Sequence, residues 1–531
     1  MKSKARSKTR ITRLIITALI VSLAAILTTL SPINPEATPA QASTEFDPID
    51  DYVRARLHDL RMPGAALGIV KNGKVAHLQT FGSDKKDENA VTVETPFKIG
   101  SLSKSFTALA IMQLVEAGKI QLDAPVQQYL PQFRVADPEA SRRITVRHLL
   151  NQVSGIPTSA GMNYMFRADM GDDALDREVA KSKDVKLAHD PGTTFQYSNR
   201  NYTTLGLLIK AVSGQSYEDY VQENVLRPLG MQQSFTHLDD AKSHGLATGH
   251  QYWFNRPVPG GGLLDNRATT PTGLITASVE DMSTWLIVHL NQGVYNGTRV
   301  LSASGIDQLH TGVASMTDDS RYAMGWYETD INGTPIVTHN GDPGDFHSTM
   351  VISPSTGWGV VLLMNGSNGQ ARLDVPAYGV MAQLIGVPTP EMPRSVTEFT
   401  TLLSLALLVI IAVQIAAAGR SIFVLRRWST NPSRQPRTPV RKIIGLGVPV
   451  IVSTLWAYVC VAVLPNLLSI PFEALRFMDY GLLVLLSFAI AVFWGMIIKP
   501  TLGIWVLQSP SGRIQPETAP EPKVPLAAGV G

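Results

Sequence analysis

Short apolar and β-branched runs alternate with longer amphipathic stretches in the region before residue 390. The runs at 65–70 and 74–78 flank Asn72-Gly73, which tolerates the positive φ of a tight turn and therefore predicts a β-hairpin. Three more runs near the end of this region predict strands at 335–338, 348–352 and 359–364. We expect one antiparallel sheet to gather both groups of strands.

Amphipathic stretches in the middle of the same region predict helices that pack on this sheet. Residues 105–116 are followed by Gly118, and residues 202–212 are followed by Gly214, which is the residue that most often ends a helix. The region shows no internal repeat that would indicate a solenoid or a propeller. The pattern therefore predicts one α+β unit over residues 43–390.

Three later segments, over residues 391–498, are long and apolar enough to cross a bilayer, at about 399–419, 443–464 and 480–498. The loop between the first two is rich in arginine, whereas the loop between the second and third has Arg476 as its only basic residue. Because basic loops stay in the cytoplasm, this asymmetry places the arginine-rich loop and the Pro-rich tail 499–531 inside. Residues 43–390 are then expected on the outer face.

The amino-terminal segment, residues 1–42, agrees with that topology. Six basic residues and no acid occur in the first 13 positions, followed by an apolar stretch at 14–30 and by Ala40-Gln41-Ala42. This order is typical of a signal peptide, and an uncleaved anchor is the alternative; both export the chain that follows. We expect a multi-pass protein of the bacterial cytoplasmic membrane, with lipid as a partner and the domain of residues 43–390 on the extracytoplasmic face.

Composition narrows the classes further. Charged residues make up 17% of the 531 residues, below the roughly 25% of a soluble domain, and the formal net charge is only +3. No run interleaves basic and aromatic side chains, so nucleic acid is not an expected partner. The single cysteine, Cys460, excludes an intramolecular disulfide and a thiolate cluster, and no His-Glu-x-x-His pattern occurs. We expect neither a metal nor a cofactor.

A Ser-x-x-Lys pattern, Ser101 to Lys104, stands at the start of an apolar helical run. Residues three apart share a helix face, so the amine can lie beside the hydroxyl. Serine is a weak nucleophile until a base takes its proton, and a lysine can do so only where its surroundings keep it neutral. Such a spacing arises by chance in a chain of this length, so the pair needs further support.

Two later motifs provide that support. Tyr197-x-Asn199 follows a Pro-Gly turn, and His339-Asn340-Gly341 follows a predicted strand. Together with Ser101-x-x-Lys104, in this order, they resemble the signature of class C β-lactamases and their relatives, which include DD-carboxypeptidases, D-aminopeptidases and esterases. The resemblance extends over roughly residues 48–385.

The resemblance implies a fold and a mechanism. The fold would be α+β, an antiparallel sheet flanked by helices with an all-helical subdomain. Ser101 would attack a carbonyl to form an acyl-enzyme, and Lys104 and Tyr197 would share the proton transfers, with Tyr197 as a phenolate or acting through Lys104. Asn199 would hold the substrate amide, and the backbone N–H groups of Ser101 and Asp342 would bind the oxyanion.

The third motif departs from the Lys-Thr-Gly that β-lactamases of this family usually carry. The set expected to contact substrate is Asn199, His339, Asn340, Gly341 and Asp342. A mostly neutral imidazole at His339 would be a weaker anchor for an anion, so efficient antibiotic hydrolysis is not expected. Asn340 replaces a hydroxyl with an amide that matches a substrate amide. Asp342 and Asp345 would also repel an anionic substrate if they faced the cleft.

The leading hypothesis is therefore an extracytoplasmic serine hydrolase that acts on D-amino-acid peptide, amide or ester bonds. Its expected substrates are a cell-wall peptide, a D-aminoacyl ester of a wall polymer, or a secreted peptide. One alternative is a non-catalytic penicillin-binding sensor or scaffold. Another is a specialised peptidase that trims an N-acyl prodrug peptide, since such peptidases resemble this chain in having an exported class C-like domain followed by three spans.

Overall fold

The structure is a computed structural model that describes residues 45–83, 90–162, 164–253, 256–260, 264–367, 373–391, 395–431, 438–465, 472, 475 and 481–508. The predicted signal segment, residues 432–437 of the arginine-rich loop and residues 509–531 of the tail lie outside these ranges. The chain divides into two compact units. The larger contains the described residues up to 406 with part of 462–484, and the smaller contains the described residues of 407–461 and 485–508.

The larger unit is built on an eight-stranded sheet with the order β2-β1-β14-β13-β12-β11-β10-β9. Its strands are β1 Gly64–Lys71, β2 Lys74–Gly82, β9 Ala314–Thr317, β10 Ser320–Tyr322, β11 Tyr327–Ile331, β12 Thr334–Gly341, β13 His347–Ser353 and β14 Trp358–Met364. Shorter strands form small separate sheets: β3 Phe97–Lys98, β4 His250–Trp253, β5 Arg256–Pro259, β6 Thr276–Ala277, β7 Val294–Tyr295, β8 Thr298–Arg299 and β15 Gly366–Ser367.

All five predicted strands are present, and they belong to this one sheet. The β1–β2 turn has Asn72 at φ 48° and Gly73 at φ 76°, which are the positive angles that a tight hairpin requires. β1 then pairs antiparallel with β14 over residues far apart in sequence, from Ala65 opposite Met364 to Lys71 opposite Trp358. The expectation that one antiparallel sheet gathers both groups of strands is confirmed.

Helices cover both faces of the sheet. They are α1 Asp47–Leu60, α2 Ser103–Glu116, α3 Pro138–Arg143, α4 Val146–Leu150, α5 Ala174–Ala180, α6 Asn199–Ser213, α7 Tyr217–Val221, α8 Leu238–Ser243, α9 Val279–Leu290, α10 Ala303–His310 and α11 Val375–Ile385. α1 and α11 pack on one face, where Val53 and Ala377 join Leu362 in a buried cluster. α2 and α9 pack on the other face, where Phe106 stacks on Trp285 with ring centroids 3.9 Å apart.

The region between β3 and β4 is helical. Apart from single β-bridges, the elements of the described residues between Lys98 and His250 are all helices. Most of their buried apolar side chains belong to the same core as α2 and α9, whereas Phe235, Leu238 and Ala241 form a small separate cluster at α8. α2 ends at Glu116 and α6 ends at Ser213, close to the predicted ends. The predicted class is confirmed: a sheet flanked by helices, with a helical region inserted.

The remaining helices are long and apolar: α12 Ser395–Thr430, α13 Pro439–Tyr458, α14 Gly481–Ile490 and α15 Lys499–Gln508. Three continuous stretches could cross a membrane by length and composition, Leu402–Thr430, Ile444–Val463 and Gly481–Leu507. They overlap the three predicted spans, but the first helix continues past the predicted end at residue 419 to Thr430, so Arg420, Arg426 and Arg427 of the predicted loop belong to the helix. The third continues beyond the predicted end at residue 498 because residues 502–507 are largely apolar and continue the helix.

The three span helices of the smaller unit meet at one polar cluster. Trp456 Nε1 donates to Ser487 Oγ at 2.7 Å, and Ser487 Oγ donates to Gln414 Oε1 at 3.2 Å. Gln414 Nε2 in turn donates to the Ser487 carbonyl at 3.2 Å. Each span contributes one of these residues, so each polar group has a partner that lipid could not supply.

Candidate active site

The start of α2 lies against the end of β12. Gly100 has φ +53°, and a Cβ on it would lie 2.7 Å from the Asp342 backbone nitrogen and 2.8 Å from Gly341 Cα. Glycine is therefore needed both for its backbone angle and for the close approach. Ser101 follows in a single 3-10 turn, Gly100–Leu102, and its side chain is half-buried. The nucleophile candidate thus lies beside the strand end that carries Gly341 and Asp342.

Lys104 lies directly beside Ser101. Its Nζ is 2.9 Å from Ser101 Oγ and 2.7 Å from the Thr272 carbonyl oxygen. The side chain has no exposed surface, and burial holds its pKa well below the usual range. Burial therefore favours the uncharged amine, the form that can donate to Thr272 and accept the Ser101 hydroxyl proton.

Tyr197 contacts the same oxygen from the other side. Its hydroxyl donates to Ser101 Oγ at 2.9 Å, and the Lys104 Nζ lies 5.0 Å from the centre of its ring. Burial raises the pKa of Tyr197 above its usual range, against the smaller lowering effect of the Ser101 hydrogen bond. The phenol therefore keeps its proton at neutral pH. Of the two expected forms of Tyr197, the structure favours a phenol that works through Lys104 and Ser101 over a phenolate base.

Gln152 holds the segment that carries Tyr197. Its carbonyl accepts from the Gln196 N–H at 2.8 Å, and its Oε1 accepts from the Ser198 N–H at 2.9 Å. The Thr158 hydroxyl donates to the Tyr197 carbonyl at 2.6 Å. Gln152 itself has φ +59°, an unusual angle for a residue with a side chain. Sequence reasoning missed this residue because its role depends on a contact between distant segments.

Asn199 is the first residue of α6 and is 7% exposed. Its Nδ2 lies 3.0 Å from Met165 Sδ and 3.8 Å from Met162 Sδ, which are weak acceptors. Its Oδ1 has no hydrogen-bond partner among the residues that the structure describes. Asn199 therefore keeps capacity for a substrate amide, and its predicted role remains a prediction.

His339 lies on β12 and is 1% exposed, with its ring stacked on Tyr327 at a centroid distance of 4.3 Å. Burial, assisted by Lys104, lowers its pKa to about 3, so the imidazole is neutral. Its Nδ1 is 2.6 Å from the Asn340 carbonyl, which can only accept, so Nδ1 carries the proton. Nε2 is then an acceptor, and it has no partner among the described residues.

The Asn340 side chain is not brought to Ser101. It donates to Asp374 Oδ2 at 2.8 Å, because successive side chains of a strand point to opposite faces and His339 occupies the face that packs on α2. Gly341 does approach the nucleophile, since a Cβ on it would lie 2.9 Å from the Ser101 nitrogen. The Asp342 backbone nitrogen also lies close to the start of α2. The Asp342 carboxylate accepts hydrogen bonds from Ser367 Oγ at 2.8 Å and from the Gly344 N–H at 2.9 Å.

Asp345 is buried and pairs with Lys98, whose Nζ lies 3.5 Å from Asp345 Oδ2. Burial raises the pKa of Asp345 to about 6, although Lys98 opposes this shift. Its charge is thus balanced inside the fold. Among the described residues, no group of three or more His, Cys, Asp or Glu side chains is placed to hold a metal ion.

The sheet flanked by helices and the Ser101–Lys104–Tyr197 cluster define the superfamily of β-lactamase and penicillin-binding-protein-like serine hydrolases. The chain belongs to the Beta-lactamase family, whose model matches residues 49–384.

Similar proteins support this assignment. Penicillin-binding protein 4 of Amycolatopsis lactamdurans is 32% identical over 64% of this chain and 90% of its own length. Protein flp of Staphylococcus aureus strain MW2 is 31% identical over 60% of this chain, which spans only 62% of that protein. The solved structure of the octameric penicillin-binding protein homologue from Pyrococcus abyssi matches with a TM-score of 0.58 and 27% identity, over 65% of this chain and 78% of its own.

Proposed function

We propose that this protein is a membrane-anchored, extracytoplasmic serine hydrolase that acts through an acyl-enzyme on D-amino-acid peptide, amide or ester bonds. One observation carries the proposal. Ser101 Oγ lies 2.9 Å from the buried Lys104 amine, whose pKa burial lowers, and 2.9 Å from the Tyr197 hydroxyl. A nucleophile, a base and a proton donor thus meet at one half-exposed oxygen.

The first half of the reaction follows from these contacts. Lys104 takes the Ser101 proton as Oγ bonds to the substrate carbonyl carbon, and the carbonyl oxygen becomes an oxyanion. The backbone N–H groups of Ser101 and Asp342 bind that oxygen. When the tetrahedral centre collapses, its bond to the leaving nitrogen or oxygen breaks. Tyr197 donates its proton to that leaving atom and is reprotonated from Lys104.

The second half restores the enzyme. A water molecule gives a proton through Tyr197 to the neutral Lys104 amine while its oxygen attacks the acyl carbon. The acyl–Oγ bond then breaks, the proton returns to Ser101 Oγ, and the carboxylic acid leaves. Each group ends in its starting protonation state, so no cofactor is required in this scheme.

His339 narrows the substrate class. A neutral imidazole with its proton on Nδ1 offers an acceptor at Nε2, whereas the lysine of a Lys-Thr-Gly motif offers a cation. An acceptor favours an amide N–H, a hydroxyl or an ammonium group over a free carboxylate. This supports amides, and substrates with a hydroxyl or ammonium group near the reacting bond, more strongly than peptides that end in a free carboxylate.

The proposed location rests on the three helices that could cross a membrane and on the arginine-rich loop between the first two. A protease added to intact spheroplasts should cleave the region of residues 45–390 and spare an epitope fused after Gly531. Cleavage of the epitope together with protection of the catalytic region would reverse the proposed orientation.

The test of activity uses the full chain in detergent with three acyl donors: a p-nitrophenyl ester, a D-alanyl amide and a fluorescent penicillin. We expect ester and amide turnover and a mass increase on Ser101, all lost in Ser101→Ala. Ser103→Ala is the matched control, because the Ser103 hydroxyl is buried and accepts from the Ile275 N–H at 3.2 Å. It should react like the wild type.

The alternatives predict other results. A stable penicillin adduct without turnover of ester or amide would indicate a penicillin-binding sensor or scaffold. Turnover restricted to N-acylated peptides would favour the specialised prodrug peptidase. Failure of the wild-type chain to react with any donor would refute the hydrolase proposal.

A further inference from the structure

A charged cluster lies behind the strand that supplies Asp342. Asp374, the residue before α11, accepts three side-chain hydrogen bonds of 2.8 Å, from Asn340 Nδ2, His347 Nε2 and Thr349 Oγ1. Its side chain makes no capping bond to the helix, so the carboxylate serves the sheet. These donors belong to β12 and β13, the two strands on either side of the 342–346 connection.

His347 joins this cluster to Asp342. Its side chain is 3% exposed, and its Nδ1 lies 3.9 Å from Asp342 Oδ2 while its Nε2 contacts Asp374. The Asp342 carboxylate is held in addition by Ser367 Oγ and the Gly344 N–H. The His347 imidazole thus lies between two carboxylates. One belongs to Asp374, just before α11, and the other to Asp342, whose backbone lies close to the start of α2.

We propose that Asp374 and His347 are positioning residues that hold the Asp342 backbone N–H in line for the oxyanion. This inference rests on the proposed function, in which that N–H binds the oxyanion. Asp342 needs such a restraint because it lies just beyond the end of β12, where the hydrogen bonds between neighbouring strands no longer fix the backbone. The side-chain bonds at Asn340, Asp342 and His347 replace that restraint.

The charge states fit this role. Burial alone would lower the pKa of His347, but Asp374 and Asp342 together raise it to about 9. Burial opposes ionisation of Asp374, but His347, Thr349 and Asn340 bring its pKa below the usual value. At neutral pH the cluster therefore contains an imidazolium that is hydrogen-bonded to Asp374 through Nε2 at 2.8 Å. Its Nδ1 faces Asp342 Oδ2 at 3.9 Å, an ion-pair contact without a hydrogen bond.

The test compares Asp374→Asn, His347→Gln and the double variant in the full chain in detergent. We expect kcat for the ester to fall about 10- to 100-fold while KM changes less than about threefold, because the oxyanion donor is displaced rather than removed. The double variant should lose little more than either single variant, since both changes break one cluster. Hydrogen exchange at the amides of Asp342 and of residues 344–346 should become faster in all three.

The matched control is His77→Gln. His77 Nε2 lies 2.9 Å from Asp50 Oδ1 in another poorly exposed His–Asp pair, and its strand β2 is separated from β13 by β1 and β14. It should change Tm without changing kcat.

Each outcome decides the inference. A kcat within about twofold of wild type in a folded Asp374→Asn chain would overturn it, as would unchanged exchange at Asp342 and residues 344–346. If His347→Gln fails to fold, the isosteric Asp374→Asn decides alone. If His77→Gln lowers kcat as much as His347→Gln does, the loss reflects a general fall in stability, and the inference is overturned as well. A wild-type chain without activity would instead refute the proposed function, and this inference with it.

Discussion

Two groups of residues near Ser101, here called the helix wall and the strand wall, treat charge in opposite ways, and the strand wall lies behind β12. The helix wall, made by Ser101, Lys104 and Tyr197, buries an amine without a carboxylate partner, which lowers its pKa and favours the uncharged form. The strand wall, made by Asp342, His347 and Asp374, buries a histidine and surrounds it with carboxylates until it is charged. Burial is similar on both sides, and the partners determine the charge.

This difference corresponds to two tasks. A base must be uncharged before it can take a proton, so desolvation without a carboxylate partner suits Lys104. A backbone donor must keep its position, so paired charges with short hydrogen bonds suit the neighbourhood of Asp342. The loss of charge on Lys104 helps proton transfer, and the pairing of His347 with Asp374 helps to hold the backbone in place. Four predictions test this division.

The largest effect is expected for Lys104→Met, which keeps an apolar side chain of similar length on the helix wall. Without the amine, kcat for the ester should fall about 10³- to 10⁴-fold because Ser101 loses its base. This loss is measured as the rate of ester turnover and, by intact mass, as the amount of acyl-enzyme formed. Lys119→Met, at an exposed position, is the control. Retention of a tenth of the wild-type kcat would assign the base elsewhere.

Tyr197→Phe should lower kcat about 100-fold for an amide and less for an activated ester, because only the amine leaving group needs a proton before it departs. The comparison of the two substrates is the measurement. Tyr202→Phe is the control, since the Tyr202 hydroxyl donates to the Leu150 carbonyl at 2.9 Å in the core. Equal losses for amide and ester would contradict a proton-donor role for Tyr197.

At high pH His347 should lose its proton, and the strand wall should then lose the ion pairs of His347 with Asp374 and Asp342. His347 has a folded pKa of about 9, above the roughly 6.5 of an unfolded histidine. Its contribution to folding stability is therefore complete below pH 6.5 and is lost as pH rises through 9. Asp374, with a lowered pKa, loses its contribution only in acid. We expect kcat to be about tenfold lower at pH 10 than at pH 8.

The same pH profile in His347→Gln sharpens this prediction. The variant should start from a lower kcat and show no fall between pH 8 and pH 10, because no imidazolium remains to titrate between Asp342 and Asp374. An unchanged fall in the variant would assign the titration to another group.

The smallest effect is expected for His339→Leu. It removes the acceptor at Nε2, and one neutral hydrogen bond is worth about 0.5–1.5 kcal/mol, so KM for a D-alanyl amide should rise about three- to tenfold. His339→Gln, which can still accept, should restore most of that loss. A lower KM in His339→Leu would show that Nε2 does not contact the substrate.

Sequence reasoning brought Ser101, Lys104 and Tyr197 together but placed the Asn340 side chain on the wrong face of β12. Ser101 and Lys104 are three residues apart in one helical segment, so local geometry brings them together. Asn340 was expected to contact substrate, but its side chain lies on the other face of β12. The alternation of the strand was visible in the sequence, but Asp374, the partner that shows the direction of the amide, is 34 residues away.

The sequence by itself determined the features that depend on near neighbours: the Asn72-Gly73 hairpin, the Ser-x-x-Lys face and the three apolar helices. Each follows from short-range backbone angles, helical spacing or apolar length. Tertiary structure alone decided the charge of Lys104, the proton position on His339 and the ion pair of His347 with Asp374. Those properties depend on how much water and which partners remain after distant segments pack together.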